Sequence, residues 1–247
     1  MTNISALTFY ATMPHTCSYL AGQSAATLLV DPRTAINTPL YSALIDYGFR
    51  RSGERVYRPR CEHCQACIPV RVPVATFQPS RIQKRIWRRN HDLAIQRVAP
   101  LHSDEHFALY QRYLAQRHAG GGMDNPDADS YLAFLASPHI DTGFYEFRLH
   151  GQLLAVAVVD HLQQGLSAVY TFFDPQHAQR SLGVYAVLWQ IERAKQLGLT
   201  WLYLGYWIKE SPKMNYKEHY RPLEMYQRGQ WVMVSPHVDV PSTQYTR

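Results

Sequence analysis

The sequence predicts an α+β fold, and three features of its second half carry that prediction. Residues 144–149, 153–160 and 166–173 are strand-length apolar or alternating stretches, separated by turn signals at His150-Gly151 and Gln163-Gln164-Gly165. Residues 181–197 then repeat apolar positions at helical spacing, with Leu182, Tyr185, Ala186, Trp189 and Ala194 near one face. Residues 201–205 return as a strand, after Gly198 closes the helix. Three meandering strands, a helix and a further strand form a mixed sheet with a helix across it.

The first hundred residues read differently. Residues 1–70 look irregular, with one helix at 39–47. Pro59, Pro69, Pro73 and Pro79 argue against long helices around the cysteines, and Arg71-Val72-Pro73-Val74 fits a short edge strand, where proline is tolerated. Ser80 is an N-cap for a helix over 81–90. Ile82 and Ile86 would face the core, Trp87 would anchor the helix, and Arg81, Lys84, Arg85, Arg88 and Arg89 would form a cationic rail. A second helix spans 103–118. Gly120-Gly121-Gly122 and the polar stretch to Asp129 read as a mobile loop, and a short helix begins at Tyr131. The expected division is a basic, cysteine-rich region at 1–100 and an acyltransferase-like domain at 101–247.

Charge is concentrated. Residues 50–89 hold 11 Lys and Arg against 2 acids, although the whole chain is only +6. That block is the footprint of a polyanion site or, failing that, a solvated face. No apolar run approaches the ~20 residues of a membrane span. The first ten residues lack the pattern of an export signal, so a cytoplasmic location is expected.

Three of the four cysteines, Cys61, Cys64 and Cys67, lie at C-x-x-C spacing inside the basic block, and Cys17 is the fourth. Four thiolates suit a structural zinc or an iron–sulfur cluster. The alternative is unconnected buried thiols or disulfides.

The strand order is that of the GCN5-related acyltransferase fold. Such enzymes hold coenzyme A pyrophosphate on an R/Q-x-x-G-x-G/A turn at the start of the helix. Here Arg180-Ser181-Leu182-Gly183-Val184-Tyr185 places a tyrosine where a small residue is needed, which argues against coenzyme A. A donor with more phosphates, docked on the basic block, fits both observations.

Several motifs together resemble the arginyl-tRNA–protein transferase family, in its bacterial aspartate/glutamate leucyltransferase branch. They are Cys17-Ser18-Tyr19-Leu20, Gly48-Phe49-Arg50-Arg51-Ser52-Gly53, Tyr57-Arg58-Pro59-Arg60-Cys61, Arg88-Arg89-Asn90-His91-Asp92-Leu93, Gly205-Tyr206-Trp207-Ile208 and Lys213-Met214-Asn215-Tyr216-Lys217. The resemblance implies transfer of leucine from leucyl-tRNA to the α-amine of proteins beginning with Asp or Glu, which marks them for an N-degron pathway. It implies no organic cofactor. Arginyl-tRNA as donor, a coenzyme A-dependent acetyltransferase and a non-catalytic RNA-binding protein are the alternatives.

An acidic acceptor needs a basic pocket, and Lys213, Tyr216, Lys217 and Arg221 are its first candidates. Arg50 and Arg51 are assigned to tRNA with the rail, or to the acceptor as a second choice. Tyr170 and Asp174 at a strand end, Ser181 at the helix start and Tyr206 are the catalytic candidates, with Ser181 also a helix cap.

Overall fold

The computed structural model describes residues 4–117 and 127–234. The expected loop at 120–129 therefore lies mostly outside the described residues.

The chain opens with β1 (Phe9–Ala11), a small hairpin of β2 (His15–Thr16) and β3 (Ser24–Ala25), β4 (Thr27–Val30) and helix α1 (Thr38–Asp46). A second hairpin follows, β5 (Arg50–Ser52) and β6 (Arg55–Pro59). Among the described residues these strands form a four-stranded sheet in the order β1-β4-β6-β5 and a separate β2-β3 pair, so the first 60 residues are not irregular. Their strands are only two to five residues long, too short to show periodicity in sequence.

The main sheet draws on the rest of the chain. Its strands are β7 (Ile68–Pro73), β8 (Ala94–Val98), β9 (Thr142–Leu149), β10 (Gln152–His161), β11 (Gly165–Phe173), β12 (Trp201–Trp207), β13 (Leu223–Gln227) and β14 (Gln230–Val234). Their order is β14-β13-β7-β12-β11-β10-β9-β8, with only β11 and β12 parallel. The strand–strand–strand–helix–strand core from β9 to β12 matches the acyltransferase-like order expected from the sequence. β7 and β8 lie inside this sheet, so no sheet boundary falls at residue 100. β7 is also no edge strand. It pairs with β12 on one side and β13 on the other, but pairing on both sides is confined to Val70 and Arg71. Pro69 and Pro73 flank that stretch and need donate no second ladder bond.

Helices cover both faces. α2 (Arg81–Arg89) and α5 (Leu182–Gln196) pack on one side, α3 (Asp104–Arg117) and α4 (Ala128–Leu135) on the other. β10 shows why its sequence reads as an unbroken apolar run. Ala155, Ala157 and Val159 face the α5 side, Val156 and Val158 the α3 side, and all are buried. Each fully buried valine contributes roughly 1.5–3 kcal/mol.

Ser80 caps α2 as expected, and a reciprocal bond from the Ser80 amide to Gln83 completes a capping box. Gln83 also donates to the His219 carbonyl at 3.1 Å, which turns Gln83, Ile86 and Asn90 inward. Ile82 is consequently 62% exposed, against expectation. Trp87 does anchor the helix, with its ring 5.4 Å from that of Tyr185.

The two sheets are joined by a buried ion pair. Arg51 on β5 and Asp160 on β10 are both 0% exposed, with Nε and Nη2 donating at 2.8 and 2.6 Å. Arg51 also donates to the Leu135 carbonyl, and Thr142 Oγ1 to Asp160 at 2.8 Å. Removing one partner strands a charge in the core. Asp160→Asn is expected to lower unfolding stability by about 3–5 kcal/mol, read from the urea midpoint; a loss under 1 kcal/mol would show that the pair ties nothing together.

Candidate active site

β11 and β12 run side by side for only three residues, pairing Gly165 with Trp201, Leu166 with Leu202 and Ser167 with Tyr203. Just beyond, each strand carries an irregularity. Against β10, the register steps so that Val169 has no partner; against β7, it steps at Leu204. A bulge bends its strand and ends local pairing, and two at one level part the strands. Residues 165–167 are buried, whereas 168–171 are half-buried along the opened gap.

Arg50 fills the top of that gap. Its Nη1 donates to Ser167 Oγ at 3.0 Å and its Nη2 to the Ala168 carbonyl at 2.5 Å, the first β11 carbonyl past the paired stretch. Gly205 lies against it on the β12 side. Its φ of +83° is a glycine conformation, and an added Cβ would sit 3.4 Å from Arg50 Nε.

Lys217 is the second cation. It sits in a 3₁₀ turn, Asn215–His219, and is 4% exposed. Its Nζ lies 3.4 Å from Met214 Sδ and 4.9 Å from the Tyr216 ring centre, and no carboxylate partners it or Arg50 among the described residues. Burial, then the Arg50 charge, lowers its ammonium to about 7. Tyr216 is 41% exposed, and burial of the phenol first, then Tyr113, push it to about 12, with Arg50 opposing the rise. Tyr216 lies within electrostatic reach of Tyr113 on α3 and Arg50 on β5. The gap, α3, β5 and the Lys217 turn outline a candidate cleft.

The structure redistributes the residues chosen from sequence. Arg51 is locked in the core and is not available to tRNA, and Arg50 lies in the gap, apart from the rail. Arg81, Lys84, Arg85, Arg88 and Arg89 are exposed on α2, as expected. Lys213 is exposed, and Arg221 is tied to the carbonyls of Glu218 and Val234, so neither joins Lys217 in the cleft as expected. Ser181 does not cap α5. It adopts φ 53°, ψ 47° with no side-chain cap bond. Asp174 instead accepts from the Gln176 amide and caps the turn after β11. Tyr206 donates to the Gly48 carbonyl at 3.0 Å, and burial raises its phenol well above the ordinary value, so in this structure it holds Gly48 in place. The Tyr170 hydroxyl is shut from water with no partner, and burial raises it too, which makes it a hydrogen-bond donor and not a base. The helix start is unsuited to coenzyme A: Tyr185 is buried, and Arg180 is paired with Asp92 at 2.9 Å.

Cys17, Cys61, Cys64 and Cys67 all line one large cleft of about 1490 Å³ between the N-terminal strands and β12–β14. Burial first, and then the other three thiols, push Cys67 up to about 12. The donor set suits a soft metal, but no three His, Cys, Asp or Glu side chains among the described residues converge as metal ligands. No helix among the described residues is long and apolar enough to cross a membrane.

A mixed sheet parted at its parallel pair, with two cations beside the opening that no carboxylate among the described residues partners, has the architecture of acyltransferase-like proteins. Family models described as the N terminus and C terminus of arginine-tRNA-protein transferase match residues 15–85 and 105–227, and the chain belongs to that family. It is an aminoacyltransferase. The aspartate/glutamate leucyltransferase of Pseudomonas fluorescens strain Pf0-1 is 54% identical over 235 residues, covering 95% of this chain and all of the relative. That of Pseudomonas aeruginosa strain LESB58 is 52% identical over the same spans. Among solved structures, FemX aligns over 82% of this chain and 80% of its own at 8% identity, with a TM-score of 0.45.

Because the folded Lys217 titrates below the 10.5 of a free lysine, its buried charge costs most below about pH 7 and the cost fades as pH rises toward 10.5. Lys217→Met is therefore expected to raise stability at pH 6 by on the order of 1–3 kcal/mol. The gain should shrink as pH approaches 10, while transfer activity falls. Equal thermal midpoints for both proteins at pH 6 would contradict a buried, unpaired ammonium.

Proposed function

We propose that the protein transfers leucine from leucyl-tRNA to the α-amine of proteins that begin with Asp or Glu, and that the product enters an N-degron pathway. The observation that carries this is the pair of buried cations, Arg50 and Lys217, without a carboxylate partner at the opening between β11 and β12. A buried charge left unpaired is costly, and an incoming carboxylate would relieve the cost. The acceptor side chain supplies that carboxylate.

The chemistry demands little beyond placement. The ester is already activated, and the acceptor amine, with an ordinary pKa near 8, is partly neutral at working pH. Its nitrogen attacks the ester carbonyl, the amide bond forms, and the tRNA hydroxyl leaves with a proton. Holding both reactants in line supplies most of the rate. The unpartnered Tyr170 hydroxyl is a donor for the carbonyl oxygen as charge develops. No organic cofactor enters this scheme.

The tRNA body is assigned to the α2 rail. Purified protein with amino-acid-labelled leucyl-tRNA or arginyl-tRNA, and peptides beginning Asp, Glu, Lys or Ala, tests the whole proposal. Label is expected to pass from leucyl-tRNA to the Asp and Glu peptides alone, and its absence from every peptide would defeat it. Arg85→Ala with Arg89→Ala is expected to weaken tRNA binding and flatten its salt dependence by about two counterions. An unchanged slope would remove the rail from the interface.

A further inference from the structure

Past the bulge, β11 presents rings to rings. Tyr170 lies 5.4 Å from Phe134 of α4, 6.3 Å from Tyr113 and 6.0 Å from Tyr110 of α3. Tyr113 also meets Phe173 at 5.0 Å. Tyr113, Phe134 and Tyr170 are each only partly buried, although they pack against a fully buried core of Tyr110, Tyr131 and Phe172; Phe173, also partly buried, meets Tyr113 from the α5 side of the sheet. This apolar wall begins where β11 leaves β12, two residues past the Ala168 carbonyl that Arg50 holds. The aromatic wall and the Arg50 end thus adjoin along one strand.

Two further facts bear on what could lie against this wall. The Tyr170 hydroxyl is closed off from water without a partner, which costs about 1–3 kcal/mol unless the ester carbonyl bonds to it. Asp174, the carboxylate next along the strand, is turned away to the Gln176 amide. A guanidinium brought here would be desolvated, and the described residues of this wall carry no anion to meet it.

We infer that Tyr113, Phe134, Tyr170 and Phe173 form the subsite for the side chain of the transferred amino acid, and that the subsite selects a branched apolar side chain over a cationic one. This rests on the protein acting as an aminoacyl-tRNA-dependent transferase. The cleft then has two ends of opposite character. Cations take the acceptor carboxylate, rings take the donor side chain, and the ester carbonyl lies between them.

The wild-type protein supplies the first measurement, inhibition of transfer by 3′-leucylamino-3′-deoxyadenosine and by its arginyl counterpart. The leucyl compound is expected to inhibit at least ~10-fold more tightly, the scale a few apolar groups in a fitted pocket provide. Equal inhibition would overturn the subsite. The second measurement uses Phe134→Ala, with Phe134→Leu as the milder change. Both should lower kcat/KM for leucyl-tRNA relative to phenylalanyl-tRNA, Phe134→Ala by ~10-fold or more, because the vacated space favours the larger ring. KM for an Asp-initiated peptide and affinity for uncharged tRNA should stay unchanged. A uniform loss for both donors would assign these rings to the core alone. Absence of transfer from any donor by the wild type would instead remove the transferase reading itself, so the two failures are distinguishable.

Discussion

The buried Arg51–Asp160 pair is the constraint on which the site depends. Neighbouring residues of a strand point to opposite faces. With Arg51 driven into the core and held by two carboxylate bonds, Arg50 on the same short strand can only face the other way. There it meets Ser167 and the freed Ala168 carbonyl. A three-residue strand has little pairing of its own to fix its register. The ion pair does that, and converts a small N-terminal sheet into a wall of the active cleft.

The parting of β11 and β12 depends on sequence features that serve no helix or strand by themselves. Gly205 permits a left-handed backbone and leaves room for a guanidinium, while two bulges at one level redirect both strands. The result is a gap with polar backbone on one side and rings on the other. Arg50 satisfies the polar side in part, and Lys217 is held beside it at a cost to stability. Structures retain such unpaired cations where a ligand completes them. The carboxylates elsewhere in the core are engaged: Asp160 with Arg51, and Glu146 with Arg148, His106 and Gln96. Among the described residues no carboxylate is left for Arg50 and Lys217, and an anion from outside the fold would complete them.

Much of this was legible in the chain, and the failures share one cause. β9 to β12 and α5 were readable because each has enough residues for its period to emerge, and α2 because Ser80 and Gln83 announce a capped start. The N-terminal sheet was hidden by strands of two to five residues. Arg50 and Arg51 were read with the rail because a basic doublet looks alike whether its partner is a phosphate or a buried aspartate 109 positions away. Ile82 was misplaced for a similar reason. Periodicity assigns two isoleucines to one face, and only the contact of Gln83 with the His219 carbonyl turns the helix. Lys217 turns inward, whereas Lys213 stays exposed and Arg221 bonds backbone carbonyls, since proximity in sequence says nothing about which side chain a 3₁₀ turn sends inward.

The rail and the gap are mechanically one unit, and that bears on how a large donor is delivered to a small cleft. β11 runs from the gap into the 3₁₀ turn Pro175–Arg180, and that turn is fastened to the end of α2. Arg180 bonds Asp92 at 2.9 Å through both nitrogens, Asn90 donates to the Arg180 carbonyl at 2.8 Å, and Arg89 donates to the Gln179 carbonyl. These bonds join residues about 90 positions apart at the point where β11 hands over to α5. The exposed cations of α2 therefore begin at the exit of the gap and extend from it for roughly 12 Å, at 1.5 Å per helical residue. A phosphate chain held along α2, as proposed, would have its terminal ester directed toward the opening between β11 and β12. The same fastening occupies Arg180 and Asn90, two groups at the helix start that would otherwise be available to a pyrophosphate. One set of bonds thus aligns the rail for a long polyanion and leaves less of the helix start for a compact one.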